Sequence, residues 1–240
     1  MRPRRIDIRL HARALAAAFL AALCMAPSAA AQSGGASTPD QHEGAAPVDP
    51  GFAISARRAV MVGGTLRVKG VSPQAAGRTI RIDVLDAASG LWLPVTATEA
   101  GGDGSFLATW SPVRAGRFVV RAIAATEGEA RGASAARSSI PRAVIAYRPA
   151  VASWYGPGFY GRRTACGRRL TTRTQGVAHR RLPCGTRVAF MKGRRRVVVR
   201  VIDRGPFVRG VHYDLTGATA HRLGLTQTEP VAVAPLHAGR

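Results

Sequence analysis

Between Phe52 and Ala125, apolar and polar residues alternate in short runs. "TLRVKG", "TIRIDVLD", "LWLPVTAT", "SFLATWS" and "RFVVRAIAA" each place an apolar side chain at every second position. Period two is the signature of an extended chain, whose successive side chains face opposite sides. The stretches "AASG", "GGDG" and "VRAG" between these runs supply the turns. Strands of this length and spacing predict a small antiparallel β-sandwich over residues 52–125. Trp92 and Trp110 are read as its core residues, the alternative being a carbohydrate-stacking role. After a polar stretch of small residues, read as a linker over 126–143, the pattern resumes in "VASWYG", "GVAH", "TRVAFMK", "RRVVVRVID" and "EPVAVAPL". One helix is predicted in this second half: Thr216 can cap "GATAHRLG", and Gly224 can end it. Mostly strands with a single short helix, over residues 144–240, predict a compact barrel.

The flanking segments place this architecture in a compartment. Residues 1–31 combine a basic start (Arg2, Arg4, Arg5), an apolar run from Ala14 to Ala26 and small residues up to Ala31. That order predicts a cleaved export signal rather than a membrane span, and a protein secreted or held in the cell envelope. Residues 32–51, rich in Gly, Ser, Ala and Pro, carry too few large apolar groups for a core and are expected to be a disordered tether. Loss of the signal removes Cys24 and leaves Cys166 and Cys184. In an exported domain such a pair reads as a disulfide, with two buried free thiols as the alternative. Two thiols with no His at ligand spacing give no metal site, and no cofactor is expected.

Charge is distributed unevenly. Residues 32–140 hold eleven basic and nine acidic side chains, whereas residues 141–240 hold nineteen and three. A surface this basic favours polyanions. Outside the cytosol the available ones are cell-wall polymers and anionic lipid, which displaces the nucleic-acid reading that "KGRRR" would otherwise invite.

The order of motifs in the second half is specific. "ASWYGPGFYGRRTACG", "GVAHRRLPCGTRV", "VVVRVIDRGPFVRG" and "YDLTGATAHRLG" closely resemble the rare lipoprotein A (RlpA) family over roughly residues 150–236. The resemblance implies a six-stranded double-psi β-barrel, an envelope location and a Cys166–Cys184 bridge. It also implies lytic cleavage of peptidoglycan, with a preference in some members for glycan strands stripped of their stem peptides. "HYDL" resembles a signature of expansins, which loosen walls without hydrolysis and usually carry their sandwich after the barrel rather than before it. The first half resembles, in pattern only, the immunoglobulin-like modules of bacterial surface enzymes. The expected fold is therefore all-β, an immunoglobulin-like sandwich followed by a double-psi barrel with one short helix.

The candidate chemistry is sparse. The barrel half has three carboxylates, Asp203, Asp214 and Glu229, and only the first two lie in motifs. A lytic transglycosylase can work with one residue acting first as acid and then as base, since the C6 hydroxyl of muramic acid attacks its own anomeric carbon. Asp203 is the candidate, with alternation placing it on the face of Val197, Val199 and Val201, where burial would raise its pKa. Its alternative role is to hold the "DRGPF" turn. Asp214 is the second acid, and His179, matched to a family histidine, is expected to orient Asp203 or share its proton. Trp154, Tyr155, Phe159 and Tyr160 are candidates for stacking on sugar rings. Arg162, Arg163, Arg168, Arg204 and Arg209 are candidates for engaging carboxylates or phosphates of the wall. The family commonly carries Glu where this chain has Arg168, so a non-catalytic wall-binding or wall-loosening barrel is the competing reading. A secreted inhibitor with no glycan affinity is the third.

Overall fold

A computed structural model describes residues 48–85, 90–124 and 136–236. The export signal expected at residues 1–31 falls outside the described residues, as does most of the tether. The described residues form fourteen strands, one α-helix and a short 3₁₀ turn at Pro73–Ala75. The first seven strands are β1 (Ala53–Ala56), β2 (Ala59–Met61), β3 (Leu66–Val71), β4 (Thr79–Leu85), β5 (Trp92–Glu99), β6 (Ser105–Trp110) and β7 (Gly116–Ala124). They are followed by β8 (Arg137–Ser138), β9 (Arg142–Tyr155), β10 (Val177–Ala178), β11 (Arg187–Lys192) and β12 (Arg195–Asp203). The chain closes with β13 (Tyr213–Thr216), the helix α1 (Gly217–Leu223) and β14 (Glu229–Leu236).

The alternating runs of the first half form the strands their period requires. Strands β1, β3 and β6 make one antiparallel sheet, while β5, β4, β7 and the first part of β9 make another. Their inward residues, among them Phe52, Ile54, Leu66, Val68, Ile80, Ile82, Phe106, Phe118 and Val120, share one core. Trp110 packs against that core and meets Phe118 edge-on at 5.2 Å. Trp92 is half-buried beneath the guanidinium of Arg121, 4.1 Å from its ring. Residues 48–51 are tied down by an Asp49–Ser138 backbone hydrogen bond of 2.9 Å and an Asp49–Arg137 ion pair. Ser138 and Ser139 are buried, and the Ser139 hydroxyl accepts from the Ala122 amide at 2.9 Å.

The second half closes into a six-stranded barrel of mixed direction. Around the barrel β9 pairs with β14, β14 with β11, β11 with β12, β12 with β10, β10 with β13, and β13 returns to β9. The β9–β13 and β10–β12 pairs are parallel, and the rest are antiparallel. Closure leaves these strands no free edge. Val188, Phe190, Val197, Val199, Val201, Leu215, Val231 and Val233 fill the interior. Helix α1 covers one end with Ala220 and Leu223. Thr216 caps it by accepting from the Thr219 amide, and Gly224 ends it in the left-handed region at φ 74°, which suits a residue without a β-carbon.

Strand β9 belongs to both sheets. Residues 142–146 pair with β7, and residues 148–155 pair with β14 and β13. Where the two cores meet, Tyr147, Ala189, Ala234 and Leu236 form a further apolar cluster, with Tyr147 only 2% exposed.

Candidate active site

Two carboxyl groups meet in one cleft at the end of the barrel. The C-terminal ends of β9 and β12, the loop after β12 and the middle of β13 line a cavity of 280 Å³, just below the usual ~300–1,000 Å³ of ligand pockets. Ser153, Tyr155, Asp203, Arg204 and Asp214 contribute its polar wall, while Phe159, Pro206, Phe207 and Val208 contribute its apolar one. Phe159 and Phe207 are 50% and 82% exposed, so their rings are free to meet a ligand.

Asp203 reaches this cleft because its strand breaks register. Val177 pairs with Val201 but Ala178 pairs with Asp203, so β12 fits one extra residue, Ile202, into the ladder. Such a bulge re-aims the side chain that follows. The alternation that buries Val197, Val199 and Val201 therefore does not carry on to Asp203, which is half-exposed. The expected burial among the valines is corrected on this point. Instead, Asp203 is surrounded by donors. Its Oδ1 accepts from the Ala165 and Arg204 amides, each at 2.8 Å, and its Oδ2 accepts from the Tyr155 hydroxyl at 3.2 Å. Burial, together with the Asp203 charge, holds the Tyr155 phenol well above its usual range, so it stays a donor.

Asp214 differs. Its Cα partner across the parallel β9–β13 ladder is Ser153, whose hydroxyl donates to Asp214 Oδ1 at 2.9 Å. Burial pushes its pKa up, the Ser153 bond lowers it in part, and the neighbouring Asp203 raises it further. A carboxyl whose pKa is raised by folding stabilises the fold while protonated and loses that contribution as pH rises through its folded value. Asp214→Asn is therefore expected to raise the melting temperature at neutral pH, with no gain below the ordinary carboxylate range. Thermal unfolding at both pH values checks this.

His179 stands beside the cleft rather than in its wall. Its Nδ1 accepts from the Arg181 and Leu182 amides at 3.1 and 2.8 Å, and its own amide donates to the Asp203 carbonyl at 3.2 Å. The ring lies 4.8 Å from that of Tyr213. Burial, followed by Arg148, Arg204 and Arg180, lowers its pKa. With Nδ1 occupied as an acceptor, His179 is a neutral imidazole that shapes the turn.

The arginines divide by task. Arg204 donates to the carbonyls of His179 and Leu182 at 3.3 and 2.9 Å, and to Cys184 Sγ at 3.4 Å. Arg180 donates to the carbonyls of Pro206, Val208 and Val211. These two side chains tie the loop after β10 to the loop between β12 and β13. Cys166 and Cys184 form a disulfide with their Cα atoms 5.8 Å apart, and the Cys166 amide donates to the Ile202 carbonyl at 3.3 Å. Arg162 lies over the Phe159 ring at 5.8 Å, and Arg163 donates to the Gly167 carbonyl at 3.4 Å. Arg168 and Arg209 are exposed on loops and do not line the cleft.

The aromatic candidates separate as well. Tyr155 and Phe159 line the cleft, their rings 6.0 Å apart. Tyr160 folds its hydroxyl over Gly156, where a β-carbon would collide with it. Trp154 points to a different hollow, beside α1. Sequence reasoning missed Ser153, Arg180 and the rim residues Phe207 and Val208. Ser153 carries no local signal, since only the parallel pairing of β9 with β13 brings it to Asp214. Phe207 stood in the "DRGPF" motif but was read as part of a turn.

Comparison with known proteins agrees with this geometry. Residues 149–234 match a family described as lytic transglycolase. Over 76 residues the chain is 51% identical to a probable endolytic peptidoglycan transglycosylase RlpA of Aquifex aeolicus, covering 31% of this chain and 34% of that protein. It is 49% identical over 77 residues to the probable RlpA of Synechocystis, covering 31% and 24%. With the endolytic peptidoglycan transglycosylase RlpA of Campylobacter jejuni it shares 40% over 85 residues, covering 34% and 31%. The chain thus spans about a third or less of the length of these curated relatives. The closed six-stranded barrel and these matches together show that residues 149–234 are similar to the RlpA-like double-psi β-barrels.

Proposed function

We propose that this protein cleaves the glycan strands of peptidoglycan without water, leaving 1,6-anhydromuramyl ends, and that Asp203 and Asp214 carry the chemistry. The observation behind the proposal is the placement of two carboxyls with different surroundings in one cleft, Asp214 desolvated and bonded to the Ser153 hydroxyl, Asp203 accepting from two amides and a phenol. Asp214, desolvated and carrying its proton more readily, donates to the glycosidic oxygen as the bond to the muramic C1 breaks. Asp203, which accepts from the Ala165 and Arg204 amides and the Tyr155 hydroxyl, faces the positive charge that develops at C1 and takes the proton from the C6 hydroxyl as O6 bonds to C1. The proton lost from Asp214 and the one gained by Asp203 balance, so no co-reactant is consumed. Tyr155 and Ser153 position the two acids, His179 and Arg204 hold the loops behind them, and Phe159 and Phe207 offer faces to the sugar rings. Arg162, Arg163, Arg168 and Arg209 surround this site with positive charge suited to an anionic polymer. The names of the matched relatives support the same substrate, and a cell-envelope location follows from it. Residues 52–125 are read as an immunoglobulin-like module that presents the barrel.

Mass spectrometry of soluble products from intact and amidase-stripped peptidoglycan tests the proposal. Anhydromuramyl products are expected from the wild-type protein, although Arg168 stands where the family commonly has Glu. Reducing ends produced by water would overturn the mechanism. Retained binding with no products would make the protein a wall-binding or expansin-like wall-loosening module, and no binding at all would favour an inhibitor.

A further inference from the structure

Trp154 was expected to serve the same site as Tyr155, but the strand turns the two neighbours to opposite sides, as successive residues of a strand must be. Tyr155 faces the acids. Trp154 lines a second hollow of 460 Å³ with Arg195, Ala220, His221, Gly224 and Leu225. The indole is fixed, since its N–H donates to the Thr226 carbonyl at 3.3 Å, yet it remains 40% exposed. It lies outside the apolar cluster that fills the barrel. Small residues on the facing side of α1 leave room over its ring.

Arg195 brings a permanent positive charge to the hollow. Arg195 pairs across the hairpin with Lys192, and the Lys192 ammonium is already taken by Glu229 and by the Gly224 carbonyl, each at 2.6 Å. The guanidinium of Arg195 lies against Gly224 and makes no ion pair among the described residues. The remaining barrel carboxyls, Asp203 and Asp214, belong to the cleft. The hollow therefore offers an aromatic face beside an uncompensated planar cation, which suits a carboxylate bidentately.

The two sites are joined by one loop. Phe159 lines the cleft, while the Tyr160 hydroxyl packs toward Gly217, which lines the hollow.

We propose that this hollow is a second glycan subsite that holds a carboxylate-bearing hexosamine, the muramoyl unit of a peptidoglycan strand, with its ring on Trp154 and its carboxylate on Arg195. The proposal rests on the peptidoglycan reading of the cleft and adds to it a place where an anionic sugar is told from a neutral one.

Calorimetric titration in an Asp203→Asn background, where cleavage does not consume the ligand, tests it. The probes are peptide-free glycan strands and chitooligosaccharides of matched length, which lack the carboxylate. Trp154→Ala is expected to weaken binding of both about tenfold or more, as loss of a stacking face does. Arg195→Gln, a change at an exposed position, is expected to weaken only the peptide-free glycan, by about tenfold, as loss of a charge-assisted bond does. Unchanged binding in both variants would overturn the subsite, and so would equal sensitivity of the two probes to Arg195→Gln. If wild-type protein still releases anhydromuramyl products in that case, the subsite alone fails. If no glycan is bound or cut, the reading of the cleft fails with it.

Discussion

Asp203→Asn and Asp214→Asn are each expected to lower the release of anhydromuramyl products by about 10²–10⁴-fold, the range associated with loss of a positioned acid or base. The two losses should differ in kind. Asp214 is assigned the proton that the departing oxygen needs, so an aryl glycoside of N-acetylmuramic acid, whose phenol leaves without help, should recover most of the lost rate in Asp214→Asn. Asp203 is assigned the charge at C1 and the proton of O6, needs that a better leaving group does not remove. Asp203→Asn should stay slow with both substrates. Rescue of Asp203→Asn and not of Asp214→Asn would exchange the two roles. The pH profile offers a second check. Activity should fall as pH rises through the raised value of Asp214, because the acid form is lost, and this alkaline limb should be absent from Asp214→Asn acting on the aryl substrate.

Removal of the disulfide is expected to cost both stability and turnover. Cys166 and Cys184 are 18 residues apart, and closing a loop of that size contributes about 3 kcal/mol in the chain-entropy account. For a fold of this size the double Cys→Ala variant should melt roughly 6–12 °C lower. The bridge also lies directly behind the acid. Ala165, next to Cys166, donates to Asp203, and Arg204, which donates from its amide to the same oxygen, reaches Cys184 with its guanidinium. Loosening that frame misplaces Asp203, and displacement by about 1 Å can cost as much as 10²-fold in rate. Turnover measured well below the lowered melting temperature separates this effect from unfolding. A variant that melts lower yet cuts at the wild-type rate would show that the bridge has no part in holding the acid.

Much of the barrel could be read from local pattern, because its determinants are local. Alternation located β11, β12 and β14, and a threonine and a glycine bounded α1 at the residues where its ends are found. The two acids could be found because the barrel half has so few carboxylates. Their division of labour could not. It depends on the extra residue at Ile202, which frees Asp203 from its expected place among valines, and on a parallel pairing that sets Ser153 against Asp214. Both are relations between strands far apart in sequence, and neither leaves a periodic mark. The parting of Trp154 from Tyr155 was, by contrast, implicit in the period-two rule. The aromatic run "SWYG" reads as one surface until the strand that carries it is known.

Strand β9 gives the molecule a mechanical character. Its 14 residues extend about 45 Å, with Val144 and Ala146 in one core, Tyr147 in the cluster between the cores, Ala152 in the barrel and Tyr155 at the acid. The same backbone that pairs with β7 at one end carries Tyr155 to Asp203 at the other, so whatever holds the sheet of β5, β4 and β7 bears on the direction from which a glycan approaches the cleft.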